Sequence, residues 1–169
     1  LTARRHGRCE AGQSWQWDGV RFEVLHPRAD DYLRTGAKPN TMSCVLAVTD
    51  AQGVRLLLTG DLEAEQEARL VREQGAALRS AVLVVPHHGS KTSSTPAFLA
   101  AVAPRLALVQ TGYRNRFGHP APAVLARYAE RGIDLRRSAD CGAWRLDATL
   151  EGVCSRDRSR RYWHDTPAR

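Results

Sequence analysis

Ala81-Val82-Leu83-Val84-Val85-Pro86-His87-His88-Gly89-Ser90-Lys91-Thr92-Ser93-Ser94 runs from five apolar residues into two adjacent histidines, a glycine, hydroxyls and a lysine. Residues 81–85 read as a buried strand. Before it, residues 62–78 carry a helical period, with Glu63, Glu65 and Glu67 near the positive N-terminal end. After it, Ser93 or Ser94 can cap a helix reaching about Val102, with Pro96 tolerated in the first turn. The same alternation continues outward. Residues 106–111 form an apolar strand, and residues 122–131 a third helix ending at Gly132. Residues 133–135 and a strand around residues 143–146 close the series. Upstream, residues 43–49 and 54–59 are strands joined by Asp50-Ala51-Gln52-Gly53, and residues 28–40 are a polar loop holding Gly36 and Pro39. Trp15, Trp17, Val20, Phe22 and Val24 alternate around Asp18-Gly19 as a hairpin. Strands come first, then β-α-β-α-β-α-β, so the expected fold class is α/β (α+β), a sheet with helices packed on a face.

At 169 residues the chain holds one domain with a real core. No stretch approaches the roughly 20 apolar residues of a membrane span, and the opening Leu1-Thr2-Ala3-Arg4-Arg5-His6 has no signal-peptide character. A Leu start suggests a chain cut from something longer. The balance is basic, 25 Lys+Arg against 18 Asp+Glu for a formal +7, and only Lys38 and Lys91 are lysines. Arginine forks suit phosphate, and a basic surface favours nucleic acid or anionic lipid. An arginine-biased genome gives the same balance, so composition alone decides nothing. Cys9, Cys44, Cys141 and Cys154 show no CxxC or zinc-ribbon spacing. Cys44 lies in an apolar strand pattern and reads as a buried hydrophobe. A Cys141–Cys154 disulfide would suit an oxidising compartment.

Polar motifs follow three successive strands, at the ends where ligands gather in such folds. In Leu58-Thr59-Gly60-Asp61 a carboxylate follows a glycine turn; Asp61 is a site carboxylate, an N-cap for the next helix, or both. In the 86–94 motif, neutral imidazole is the commonest metal ligand, and Gly89 lets backbone approach an anion. One of His87 and His88 faces the cleft and the other supports it, because neighbours on an extended backbone point apart. Arg114-Asn115-Arg116-Phe117-Gly118-His119-Pro120 adds a third imidazole and two phosphate-binding arginines. Taken singly, each motif has a bland reading as a cap or surface loop. Together they suit zinc, manganese or iron, which lowers the pKa of bound water to about 7 and polarises a phosphoryl oxygen.

The succession LLLTGDLE (56–63), VLVVPHHGSKTSS (82–94), TGYRNRFGHP (111–120) and CGAW (141–144) closely resembles the metallo-β-lactamase-like domain at the C-terminus of the ComEC DNA-uptake channel. SWQWDGVRFEVLHP (14–27) and NTMSCVL (40–46) look similar too, so the resemblance covers residues 12–146. It implies an αββα sandwich, a two-metal hydrolytic cleft and a role in natural transformation, degrading the DNA strand that is not transported. It also implies a soluble domain of an inner-membrane protein, on the extracytoplasmic face. Asp61 matches the family's Gly-Asp metal carboxylate, His87, His88 and Lys91 its HHGSK motif, and His119 its Gly-His-Pro motif.

One departure matters: the upstream HxDxDH motif has no counterpart, and His26-Pro27-Arg28-Ala29-Asp30-Asp31 lacks the closing histidine. The expectation is therefore the C-terminal half of the sandwich, a partial domain over residues 1–154 with a basic, mobile tail over 155–169. Its metal ligands would be Asp61, His87, His88 and His119, with Asp61 and Lys91 catalytic and Ser90, Lys91, Arg114 and Arg116 on substrate. Zinc or manganese would bind weakly or not at all to this fragment. Its activity would be that of a DNA phosphodiesterase when intact, or alternatively it would be a non-catalytic DNA-guiding module. Expected partners are DNA, the rest of the channel, and a second copy through the face a missing half would cover.

Overall fold

The computed structural model of the protein describes residues 7–147 and 151–159. Seven strands form one mixed sheet in chain order: β1 (Ser14–Trp17), β2 (Val20–His26), β3 (Val45–Thr49), β4 (Arg55–Leu58), β5 (Val82–Val84), β6 (Leu106–Val109) and β7 (Asp134–Arg137). Pairing is antiparallel from β1 to β4 and parallel from β4 to β7. The switch follows from the connections. Asp18-Gly19, both at positive φ, makes the tight β1–β2 turn, and Asp50 accepts from the backbone N–H of Gln52 and Val54 in the β3–β4 turn. Parallel neighbours need crossovers, supplied by α1 (Ala64–Gln74), α2 (Pro96–Val102) and α3 (Pro122–Ala129). The mixed α and β composition is as expected.

All three helices lie on one face of the sheet. Val45, Ala47, Leu57, Leu83, Ala107 and Val109 point into a core with Leu70 of α1, Phe98, Leu99 and Val102 of α2, and Val124 and Tyr128 of α3. The alternate residues Phe22, Leu46, Val48, Leu56, Leu58, Val84 and Leu108 share the other face and are half-buried. Val24, Val82 and Leu106 on that face are buried. A β-bulge between Val24 and His26 resets the alternation and pairs buried His26 with Val45.

Several expectations change. The helix-2 cap is Thr95, whose hydroxyl accepts from the Phe98 N–H, because Ser93 and Ser94 are buried in other bonds. The strand at residues 143–146 leaves the main sheet: β8 (Trp144–Leu146) pairs with β9 (Gly152–Cys154) as a separate ribbon. Cys44 is exposed and joined to Cys9, with Cα atoms 5.9 Å apart, so it is no buried hydrophobe. Cys141 and Cys154 are also bonded, Cα to Cα 4.7 Å, which joins the short helix α4 (Ser138–Cys141) to β9. Ser155–Arg158 forms a helical turn, α5, whose Ser155 hydroxyl accepts from the Ala143 N–H at 2.9 Å. Residues 160–169 lie outside the described residues.

Candidate functional site

The parallel strands β4, β5 and β6 end at one edge of the sheet, and the three motif loops leave from there. Hydrogen bonds from backbone and side chains lock the loops together. The buried Thr59 hydroxyl donates to the Val84 carbonyl at 2.8 Å, and the His87 N–H to the Gly60 carbonyl at 2.9 Å. The Ala121 N–H bonds the Gly89 carbonyl at 2.9 Å, and a Cβ at Gly89 would lie 2.6 Å from Pro120 Cβ. The glycine therefore serves loop–loop contact, where the sequence suggested anion approach. The Asp61 N–H donates to Ser43 Oγ at 3.1 Å.

Asp61 does not cap α1; that position falls to Glu63. Its Oδ1 stands 3.4 Å from His88 Nε2 instead. His88 Nδ1 lies 2.7 Å from the Gln110 carbonyl, which can only accept, so Nδ1 carries the hydrogen. In the neutral ring this leaves a lone pair on Nε2 facing a carboxylate oxygen.

His87 sits in a second cluster. Its Nδ1 lies 3.3 Å from Thr92 Oγ1 and 3.5 Å from Glu63 Oε1, and its Nε2 lies 3.4 Å from Asn40 Nδ2. The Asn40 amide also donates to Glu63 at 3.3 Å. His119 places its ring centroid 6.1 Å from that of His87. Its Nδ1 is buried without a hydrogen-bond partner. Burial, then the charges of His87 and His88, hold its imidazole below the ordinary pKa.

The two adjacent histidines are not on extended backbone, contrary to the sequence reading. Both are left-handed, His87 at φ 50° and His88 at φ 55°, a conformation costing of order 1–3 kcal/mol per non-glycine residue. Surrounding structure holds them there. Ser93 Oγ bonds the Pro86 and Ser90 carbonyls, and the Ser90 N–H bonds the His87 carbonyl. Behind them, the fully buried Glu67 carboxylate accepts from Ser94 and Thr95 N–H at 2.5 and 2.7 Å. Burial raises its pKa against those bonds. Arg127 of α3 donates to the Ser93 and Ser94 carbonyls, and Tyr128 Oη lies 3.1 Å from Ser94 Oγ.

The expected metal set thus collects at one edge, as the pair Asp61–His88 and the cluster around His87 that His119 adjoins. Among the described residues no group of three or more His, Cys, Asp or Glu side chains is arranged to hold a metal ion. Ser90 is buried with its hydroxyl 3.2 Å from that of Thr92. Lys91, Arg114 and Arg116 are exposed, the arginines stacked over Tyr113 and Phe117. Asn40, Ser43, Glu63 and Thr92 were missed by sequence reading. A topological signal for two of them existed: β3 runs antiparallel to β4, so residues preceding β3 lie where β4 ends.

No family model matches the chain. It is 44% identical over 159 residues to Competence protein ComA of Neisseria gonorrhoeae, covering 93% of this chain and 22% of that protein. It is 38% identical over 144 residues to Recombination protein 2 of Haemophilus influenzae, covering 82% of the chain and 17% of the relative. With ComE operon protein 3 of Bacillus subtilis it shares 34% over 131 residues, 78% of the chain and 16% of the relative. The chain therefore spans about a fifth of the length of these homologues.

Proposed function

We propose that this chain is a segment of a ComEC-family competence protein and forms part of a metal-dependent phosphodiesterase domain acting on DNA during uptake. The homologues' names support the setting. The chemistry rests on one observation: His88 Nε2 and Asp61 Oδ1 lie 3.4 Å apart, beside the His87 cluster. In the neutral ring, with Nδ1–H on the Gln110 carbonyl, both atoms are acceptors that a cation can share, and donors sharing one metal lie roughly 3–4 Å apart. Imidazole and carboxylate suit zinc or manganese. Asp61 and His88 would hold such an ion, which when bound supplies a Lewis acid for a phosphoryl oxygen. The fit is that of two ligands; the reading needs more from outside this chain, of the kind an HxDxDH motif supplies.

The chain's own residues have definite tasks. The Gln110 carbonyl fixes the tautomer and aim of His88, and the Ser43 hydroxyl fixes the backbone of Asp61. His87, held among Thr92, Glu63 and Asn40, can take or give a proton at Nδ1 or Nε2. The exposed cations Lys91, Arg114 and Arg116 offset phosphate charge. Two disulfides fit an oxidising compartment, hence the extracytoplasmic face of an inner-membrane protein. No helix among the described residues is long and apolar enough to cross a membrane.

A non-catalytic DNA-guiding module is the second reading, favoured by the lack of any three-donor group among the described residues. Cleavage of single-stranded DNA by the full-length protein, with and without zinc or manganese, separates the two. Metal-dependent cleavage that Asp61→Ala abolishes, with salt-sensitive binding retained, supports the phosphodiesterase. Salt-sensitive binding with no cleavage under any metal leaves the guiding module.

A further inference from the structure

The loop of residues 110–121 puts aromatic rings and guanidinium groups in alternation at the mouth of the site. Phe117 is 68% exposed and Tyr113 50%, although neither contributes to the buried core. Arg116 stacks on Phe117 at 4.9 Å and Arg114 on Tyr113 at 5.1 Å. The Phe117 ring also lies 5.9 Å from that of His119, inclined by 20°, and His119 lies 6.1 Å from His87. The rings Phe117, His119 and His87 thus form a continuous series from solvent to the histidine cluster. Asn115 braces it: its side chain accepts from the His119 N–H at 3.0 Å and donates to the His119 carbonyl.

We infer that Phe117, with Arg116 and Arg114, forms a stacking platform for unpaired bases that makes this edge select single-stranded over duplex DNA. The inference rests on the DNA reading above and adds the form of nucleic acid. An exposed ring offers its face to any base, and interleaved arginines meet the phosphates on either side. A guanidinium already stacked on the ring can yield that face to a base and swing to a phosphate. Duplex DNA stacks its bases internally and has no free face to give, so only its backbone charge would be felt.

Fluorescence anisotropy in EDTA, which removes any hydrolysis, tests this with the full chain. The probes are a labelled oligothymidylate, an abasic strand of equal length and a duplex of equal length. Phe117→Ala is expected to weaken oligothymidylate binding by at least about five-fold, with Phe117→Trp restoring it. Binding of the abasic strand and the duplex should be unchanged in both variants. Arg116→Ala should weaken all three probes and lower the slope of log affinity against log salt by about 1. Circular dichroism checks that each variant keeps its fold. Unchanged oligothymidylate binding in Phe117→Ala, or equal losses for all three probes, overturns the platform while sparing the DNA reading. A wild-type chain that binds none of them overturns both.

Discussion

The two faces of the sheet are built from the same residue types and have different fates. Leu57 and Leu56 are neighbours on β4: the first is fully buried beneath the helices, the second half-buried on the face they leave. Ala47 against Val48 and Leu83 against Val84 repeat the contrast. At the hairpin end of the less covered face Trp15 and Trp17 are 47% and 74% exposed, Trp15 stacked on Phe22 at 5.1 Å. Alternation in a strand tells which residues share a face, not whether a layer covers it. Both faces here are apolar. The polar chemistry collects instead at the strand ends, where no alternation rule applies.

The largest effect should come from setting the faces against each other. Leu57→Ala is expected to lower unfolding stability by about 2–5 kcal/mol, because it opens a cavity in a packed core. Leu56→Ala should lower it by only about 1 kcal/mol, having less buried area to lose. Urea denaturation of the two variants measures both, and equal losses would break the contrast. Next in size, Glu67→Ala strips the Ser94 and Thr95 amides of their acceptor and should cost about 1–3 kcal/mol, read from the same transitions. It should also loosen the loop carrying His87 and His88, seen as faster amide exchange at residues 87–94.

A smaller effect concerns pH. Burial holds His26 below its ordinary pKa, against the hydrogen bond to the Ser43 carbonyl and the charge of Asp31. The folded state therefore binds fewer protons at this ring than the unfolded chain does. Stability from His26 is present above the unfolded value of about 6.5 and is lost as pH falls through the lower, folded value. His26→Asn should flatten the loss of stability between about pH 7 and pH 5; an unchanged pH profile would count against it. Smallest of all, Asp61→Ala should shift stability by no more than about 0.5 kcal/mol, since the side chain is exposed at the sheet edge. Its zinc affinity, by calorimetric titration, should nonetheless fall roughly ten-fold or more. A large stability loss would place Asp61 in the fold's support and not in its site.

The periodic parts of the chain were legible. The Asp18-Gly19 hairpin, the paired runs around Asp50 and the β-α alternation as far as β7 appear within a few residues of the reading. The three motif loops at one edge follow from the same alternation. What stayed hidden depends on contacts distant in sequence. Cys44 looks like any apolar strand residue until Cys9, 35 positions away, comes beside it. Ser94 looks like a helix cap until Glu67 claims its N–H. Asn40 reaches His87 through the β3–β4 pairing, and Glu63 through the parallel β4–β5 pairing. The left-handed His87-His88 backbone carries no signal in residue type, because tertiary bonds impose it.

Gly89 has the last consequence. Its missing side chain leaves room for Pro120, so the loops bearing His87 and His119 touch through bare backbone and ring carbons. Two loops in such contact cannot drift independently: a displacement of one is a displacement of the other, and the spacing of their imidazoles is inherited from that contact. A survey of random variants would accordingly find position 89 intolerant of every replacement, alanine included. The smallest residue of the motif would register as indispensable without offering a ligand atom of its own.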